Sequence, residues 1–288
     1  MTYVCSRLRR LRAPLLALAL APAAAAAQLR PLDPLDWRIF DRETNLVASA
    51  GGSVLARMLA PLAGTRGTLA ELGSYQLLWR TGRMGIEITG TALLRFDEDT
   101  TLFAPAANVE PARDGIRQEP GPLHVGTLLR LTPERWSTDV ALRFGTHLPT
   151  TSDESGLERD RTDFYALLGA RWRRGSWSVA GESGVGINGT RLPDYPQSDV
   201  WSYTLQLERR WARAAVFGAV TGHQDGHSLV PAPGNEDQGE LRAGLRLGRR
   251  WWLQSTYIHG FRGPAPKHGL LLAAGLAHGC RTDCLPFR

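Results

Sequence analysis

Charged residues of both signs recur along this chain at alternate positions of segments that are otherwise apolar. In residues 239–248, Glu240, Arg242 and Arg246 alternate with Leu241, Ala243, Leu245 and Leu247. In 162–173, Asp163 and Arg171 oppose Phe164, Ala166, Leu168, Ala170 and Trp172; in 84–96, Glu87 and Arg95 oppose Ile86, Ile88, Ala92 and Leu94. Arg130, Asp139, Arg143, Glu182 and Glu208 hold equivalent positions in neighbouring segments. A period of two puts such charges on one face of an extended strand. Around a water-filled lumen, fixed charges select solutes. Paired with one another, long charged side chains close the same lumen as a polar plug. The sequence leaves both readings open.

A second constellation is the His-x-Asp-x-His run of His223, Asp225 and His227, at the start of a long loop. Alternation places all three on one side, where they could hold a metal or act as general acid and base. A solvated polar loop has the same composition. No serine motif or second ligand cluster accompanies the run. The chain also lacks a glycine-rich phosphate loop, a Cys-x-x-Cys pair and an HExxH helix. The expectation is a protein that is not an enzyme and carries no cofactor or metal.

The elements that position these residues read as strands. None of the segments spaces its apolar residues at three and four, as a helix would. Twelve strands are expected, at 46–59, 66–80, 83–96, 122–132, 135–147, 161–173, 176–188, 199–211, 212–222, 238–248, 251–261 and 268–278. Three alternate poorly, so ten to fourteen remain open. Tight joins at 81–82, 132–134, 174–175, 210–212 and 249–250 alternate with long ones at 97–121, 148–160, 190–198 and 223–237. An all-β, antiparallel up-and-down transmembrane barrel has short turns at one end and long loops at the other.

Seven of the nine tryptophans flank the tight joins: Trp79, Trp136, Trp172, Trp177, Trp211, Trp251 and Trp252. Arginines accompany them, among them Arg80, Arg83, Arg135, Arg173, Arg209 and Arg250. Indole rings favour the layer between hydrocarbon and water, and guanidinium groups there meet lipid phosphates. The pattern reads as an interfacial belt, against the alternative of ordinary core tryptophans beside solvated turns.

Residues 1–27 read as a cleaved secretory signal peptide. Arg7, Arg9, Arg10 and Arg12 precede a short apolar core, Pro22 and an alanine run. Cleavage near Ala27 lowers the net charge from +6 to +2, so the basic balance does not argue for nucleic-acid binding. It also removes Cys5 and leaves Cys280 and Cys284 as a candidate disulfide in an oxidising compartment. The remaining organisation is expected to be an N-terminal periplasmic segment at 28–45, the barrel at 46–278 and a C-terminal tail at 279–288.

Residues 143–172 and the strand beyond carry a resemblance. The features are a strand ending in Leu148-Pro149-Thr150, an acidic loop, and Thr162-Asp163-Phe164 opening the returning strand. A basic turn Arg173-Arg174-Gly175 follows, then a strand with Gly181, Gly184, Gly186 and Gly189. The stretch resembles uncharacterised outer-membrane barrels grouped with the phenol meta-cleavage pathway as putative transporters. The resemblance implies a bacterial outer-membrane location. It also implies lipid, lipopolysaccharide and the barrel assembly machinery as partners, and transport of a small polar solute. The chain departs from the usual terminal aromatic residue, since Phe287 is followed by Arg288. Asp97, Glu98, Asp99, Asp153 and Glu154 fall in loops where they could share divalent cations with lipopolysaccharide, or simply keep the loops soluble. A narrow hydrophilic pore is the leading expectation. A non-conducting structural or adhesive barrel is the alternative, and an outer-membrane hydrolase comes third.

Overall fold

Alternating sequence becomes alternating burial wherever a strand has lipid on one side and a lumen on the other. The structure is a computed structural model describing residues 30–150, 154–192, 195–225 and 236–279. Its strands are β1 (Leu46–Ala60), β2 (Thr65–Thr81), β3 (Met84–Thr101), β4 (Ile116–Glu119), β5 (Leu123–Arg130), β6 (Thr138–Leu148) and β7 (Asp163–Arg174). They continue as β8 (Trp177–Leu192), β9 (Tyr195–Arg210), β10 (Ala214–Asp225), β11 (Gln238–Gly248), β12 (Trp251–Arg262) and β13 (His268–His278). Strands adjacent in sequence pair antiparallel except β4 and β5; β5 pairs β3 instead, and β1 pairs β13 from Leu46–His278 to Ala56–His268. The sheet therefore closes into a barrel of twelve staves, as expected, and closure leaves no unpaired staves in the wall. The extra strand, β4, pairs only with β3 and lies in a connection expected to be irregular. The join expected to be long at 190–198 is instead a hairpin between β8 and β9.

The outer face is apolar. Leu168, Leu205, Leu253 and Leu272 are each more than half exposed, while Glu87, Asp139, Arg171 and Glu240 on the other face are fully buried. That inversion suits a wall between hydrocarbon and a polar lumen. No helix among the described residues is long and apolar enough to cross a membrane. Six of the seven belt tryptophans are exposed near the short-turn end, and the Arg209 guanidinium lies 5.1 Å from the ring centre of Trp177 and 5.0 Å from that of Trp211. Trp252 departs from the belt. Consecutive strand residues point to opposite faces, so Trp251 faces out and Trp252 is buried inside.

Rings opposite glycines recur around the wall. Tyr75 faces Gly90, Tyr165 faces Gly145, Tyr203 faces Gly222, Phe217 faces Gly244 and Trp252 faces Gly275. At each of these glycines the ring or its hydroxyl occupies the space a Cβ would need, at 2.2 to 2.6 Å. The aromatic side chain thus covers backbone the glycine leaves bare.

Arg95 is corrected by the fold. Up to Thr91, the odd-numbered residues of β3 face the lumen; beyond it Leu94 and Phe96 are the buried ones. Gly73, at φ +67, stands beside Ala92 and marks an extra residue in β2 against β1. Such a bulge shifts the alternation by one. Arg95 consequently points outward, where it pairs with Asp97 at 3.0 Å.

The segment expected in the periplasm is corrected as well. Residues 30–41 run inside the barrel, with Leu35, Trp37, Ile39 and Phe40 buried. The signal peptide, His227, Asp153, Cys280, Cys284 and Phe287 lie outside the described residues.

Candidate functional site

The lumen is built around this N-terminal segment. Pro31 and Pro34 keep its first part extended, and a single 3₁₀ turn at Trp37–Phe40 follows, capped by Asp36, which accepts from the Arg38 amide at 3.1 Å. Its apolar residues form a buried cluster with Val47, Leu78, Leu128, Ala141 and Ala180 of the wall. Its polar atoms meet the charges that alternation aimed inward. The Leu35 amide donates to Glu182 at 2.8 Å, and Arg143 donates to the Asp33 carbonyl at 2.9 Å while gripping Glu87 through two bonds of 2.7 and 2.8 Å. Near the short-turn end Asp41 gathers Arg171 at 2.8 Å, Arg173 at 3.1 Å and Arg210 at 3.0 Å. Arg171 continues to Asp139 at 2.9 Å, and Asp139 also accepts from Arg130.

Higher in the barrel Arg30 reaches Glu71 at 2.9 Å and Glu240 at 3.1 Å, and Arg242 bonds Asp33 at 2.6 Å and Glu240 at 2.9 Å. Enclosure by the lumen opposes ionisation of the Asp33 carboxyl, although its side chain is 55% exposed there, and the guanidiniums of Arg242 and Arg30 outweigh it and hold the group at about 2. Asp36 is likewise held well below the carboxylate range, because Arg38 overcomes the effect of burial. Glu208 takes Arg246 at 3.1 Å and also bonds Arg210. Of the twelve charges singled out from alternation, eleven are thus buried inside the barrel and Arg95 alone lies outside.

The outer end has its own closure. Leu157, in the loop between β6 and β7, is buried with Leu55, Met58, Leu69, Leu94, Phe96 and Ile258. Arg117 of β4 secures the neighbouring backbone through Ser155 O at 2.8 Å and Glu110 O at 2.7 Å, and bonds Glu98 at 2.6 Å. Below this cap Asp163 accepts from the Gly189 amide at 2.9 Å and contacts His147 Nδ1 at 3.1 Å and Arg159 at 2.5 Å. His147 stacks on His124 with ring centres 4.8 Å apart. His223 is buried, with Nε2 3.1 Å from the Glu236 carbonyl, and Asp225 bonds Ser198 at 3.0 Å. No group of three metal-binding side chains occurs among the described residues.

The segment does not fill the barrel evenly. Its apolar residues pack on β1, β2, β5, β6 and β8, and the Trp37 ring rests on Gly169 of β7. Beside its first part a chamber of about 240 Å³ opens between the segment and a wall running from β8 through β13 to β1, β2, β3 and β5. That wall carries small or uncharged side chains such as Ser49, Gly51, Ser74, Thr91 and Ala273 between the charged Glu71, Glu208, Arg210, Arg242 and Arg246. Arg80, expected in the lipid-facing belt, is instead buried, donating to the Ile39 carbonyl at 2.8 Å and to Glu134 at 2.7 Å; Glu71 and the His124–His147 pair were missed in the sequence. The bulge at Gly73 conceals the facing of Glu71, and the histidines carry no pattern of their own.

No protein-family model and no curated protein matches the sequence. Solved structures do match. An outer-membrane channel from Pseudomonas putida F1 aligns over 85% of this chain and 99% of its own, with 12% identity and a TM-score of 0.59. The translocator domain of the autotransporter NalP from Neisseria meningitidis aligns over 94% and 95% of the two chains, with 10% identity and a TM-score of 0.39. A mutant of the monoaromatic hydrocarbon channel TodX covers 90% of this chain and 96% of its own at 9% identity and a TM-score of 0.41. The chain therefore shares the barrel fold of a bacterial outer-membrane channel.

Proposed function

We propose that the protein is an outer-membrane channel for small solutes in which the N-terminal segment is a built-in plug and the chamber beside it is the passage. The observation that carries this reading is the chamber that the segment leaves unfilled inside the barrel. A barrel serving only as a scaffold gains nothing from such a chamber, whereas a passage requires one. The resemblance of residues 143–172 to barrels grouped with phenol meta-cleavage as putative transporters agrees with it, as does the fold shared with the Pseudomonas channel. The apolar outer face and the Trp/Arg belt support placement in the bacterial outer membrane, with lipid and lipopolysaccharide as neighbours.

The non-conducting alternative has one observation in its favour, the dense ion pairing of the plug. Against a hydrolase stands the placement of His223, the first residue of the His-x-Asp-x-His run, buried against the Glu236 carbonyl. The deciding experiment reconstitutes the mature protein in proteoliposomes and records osmotic swelling alongside planar-bilayer current. Solute-dependent swelling supports the channel. Vesicles that stay tight to every solute, in wild type and in Asp41→Asn alike, leave the structural barrel as the answer.

A further inference from the structure

We infer that the chamber takes small, uncharged, hydroxyl-bearing molecules and discriminates against ions, an inference that rests on the channel reading and names its substrate class. Alternation alone suggested a lumen whose fixed charges would select solutes by sign. The structure shows those charges spent on one another and on the plug. Of the four guanidiniums lining the chamber, Arg30 is paired with Glu71 and Glu240, Arg242 with Asp33 and Glu240, Arg246 with Glu208, and Arg210 with Asp41 and the same Glu208, all within 3.1 Å. An ion entering would shed its water and meet no unpaired countercharge.

What the chamber does offer is neutral. Ser49 and Gln76 present a hydroxyl and an amide, and Ser74 and Thr91 stand 3.2 Å apart across β2 and β3. Between these polar points lie Phe217, Ile258, Leu271 and Leu94. The site therefore matches a molecule with hydroxyls on one side and carbon on the other. At about 240 Å³ it is smaller than drug-sized pockets, which run to roughly 300–1,000 Å³.

The test compares wild type with two variants in proteoliposomes. Correct folding of each is verified by heat-modifiable gel migration. Swelling in erythritol or resorcinol and current in potassium chloride are measured on the same preparations. Wild type should pass the neutral solutes while carrying little ionic current. Ala273→Phe, which puts a ring into the chamber, should slow erythritol swelling by about tenfold or more. Glu71→Gln, which removes one of the two carboxylates on Arg30, should raise chloride current. A wild type that conducts ions as freely as it passes erythritol overturns the inference while leaving the channel reading intact. Swelling unchanged by Ala273→Phe in a folded barrel also overturns it. Impermeability to every solute overturns the channel reading itself.

Discussion

Trp37 of the plug lies flat against Gly169 of β7: a Cβ built on that glycine would come 2.8 Å from Cζ2 and 2.9 Å from Cη2 of the indole. Alternation marks Gly169 as a lumen position with room to spare, yet the plug has taken that room. Gly169→Val should therefore displace Trp37 and loosen the plug while leaving the wall intact. The expected outcome is larger or flickering conductance with unchanged heat-modifiable migration. Current identical to wild type would show that Trp37 does not hold the plug.

Asp41 is the carboxylate on which Arg171, Arg173 and Arg210 converge. Removing one partner of a buried ion pair costs about 3–5 kcal/mol. Asp41 retains a quarter of its side-chain exposure, so solvent screening reduces the expected loss for Asp41→Asn to about 1–3 kcal/mol. Limited proteolysis should then cut within residues 30–41 faster than in wild type, while the barrel core stays resistant.

Leu168 and Leu245 face outward, Leu168 being 56% exposed. An arginine at a lipid-facing position near the midplane costs about 2–4 kcal/mol. Leu168→Arg and Leu245→Arg should each lower the urea midpoint of the barrel refolded in bilayers. A midpoint equal to wild type for both would refute the assignment of the outer face.

The Asp33–Arg242 contact sets an acid limit on plug docking. A carboxyl whose folded value lies below the free value of about 3.9 adds stability above that pH, and loses it as pH falls through the folded value. Asp33 is held at about 2. Plug-limited conductance should accordingly be unchanged from neutral pH down to about pH 4 and rise only toward about pH 2. A rise near pH 6 would assign the transition to groups other than Asp33.

Most of the wall was legible in the sequence because membrane strands must repeat one rule. Leu241 through Leu247 announce β11, and Trp177 with Gly175 announces the turn before β8. The plug was not legible for a physical reason: it buries its apolar residues against a polar lumen, so Leu35, Trp37, Ile39 and Phe40 follow neither the strand nor the helix period. Its charges, Arg30, Asp33, Asp36 and Asp41, were the available signal, since they complement those facing inward from the strands. Arg95 was misplaced because counting by twos assumes an unbroken strand, and Gly73 breaks it. A glycine inside a strand pattern is the usual mark of such a bulge.

The rings laid over glycines bear on how the wall is assembled. A hairpin that slips by two residues keeps every side chain on its proper face, so hydrophobic alternation cannot detect the error. The aromatic pairs can. Such a slip would bring Tyr203 opposite Val220 or Gln224 instead of Gly222, Phe217 opposite Arg242 or Arg246 instead of Gly244, and Trp252 opposite Ala273 or Ala277 instead of Gly275. Each alternative puts a Cβ where the ring must lie. Spaced around the circumference, these contacts favour the native register of each stave over one slipped by two residues.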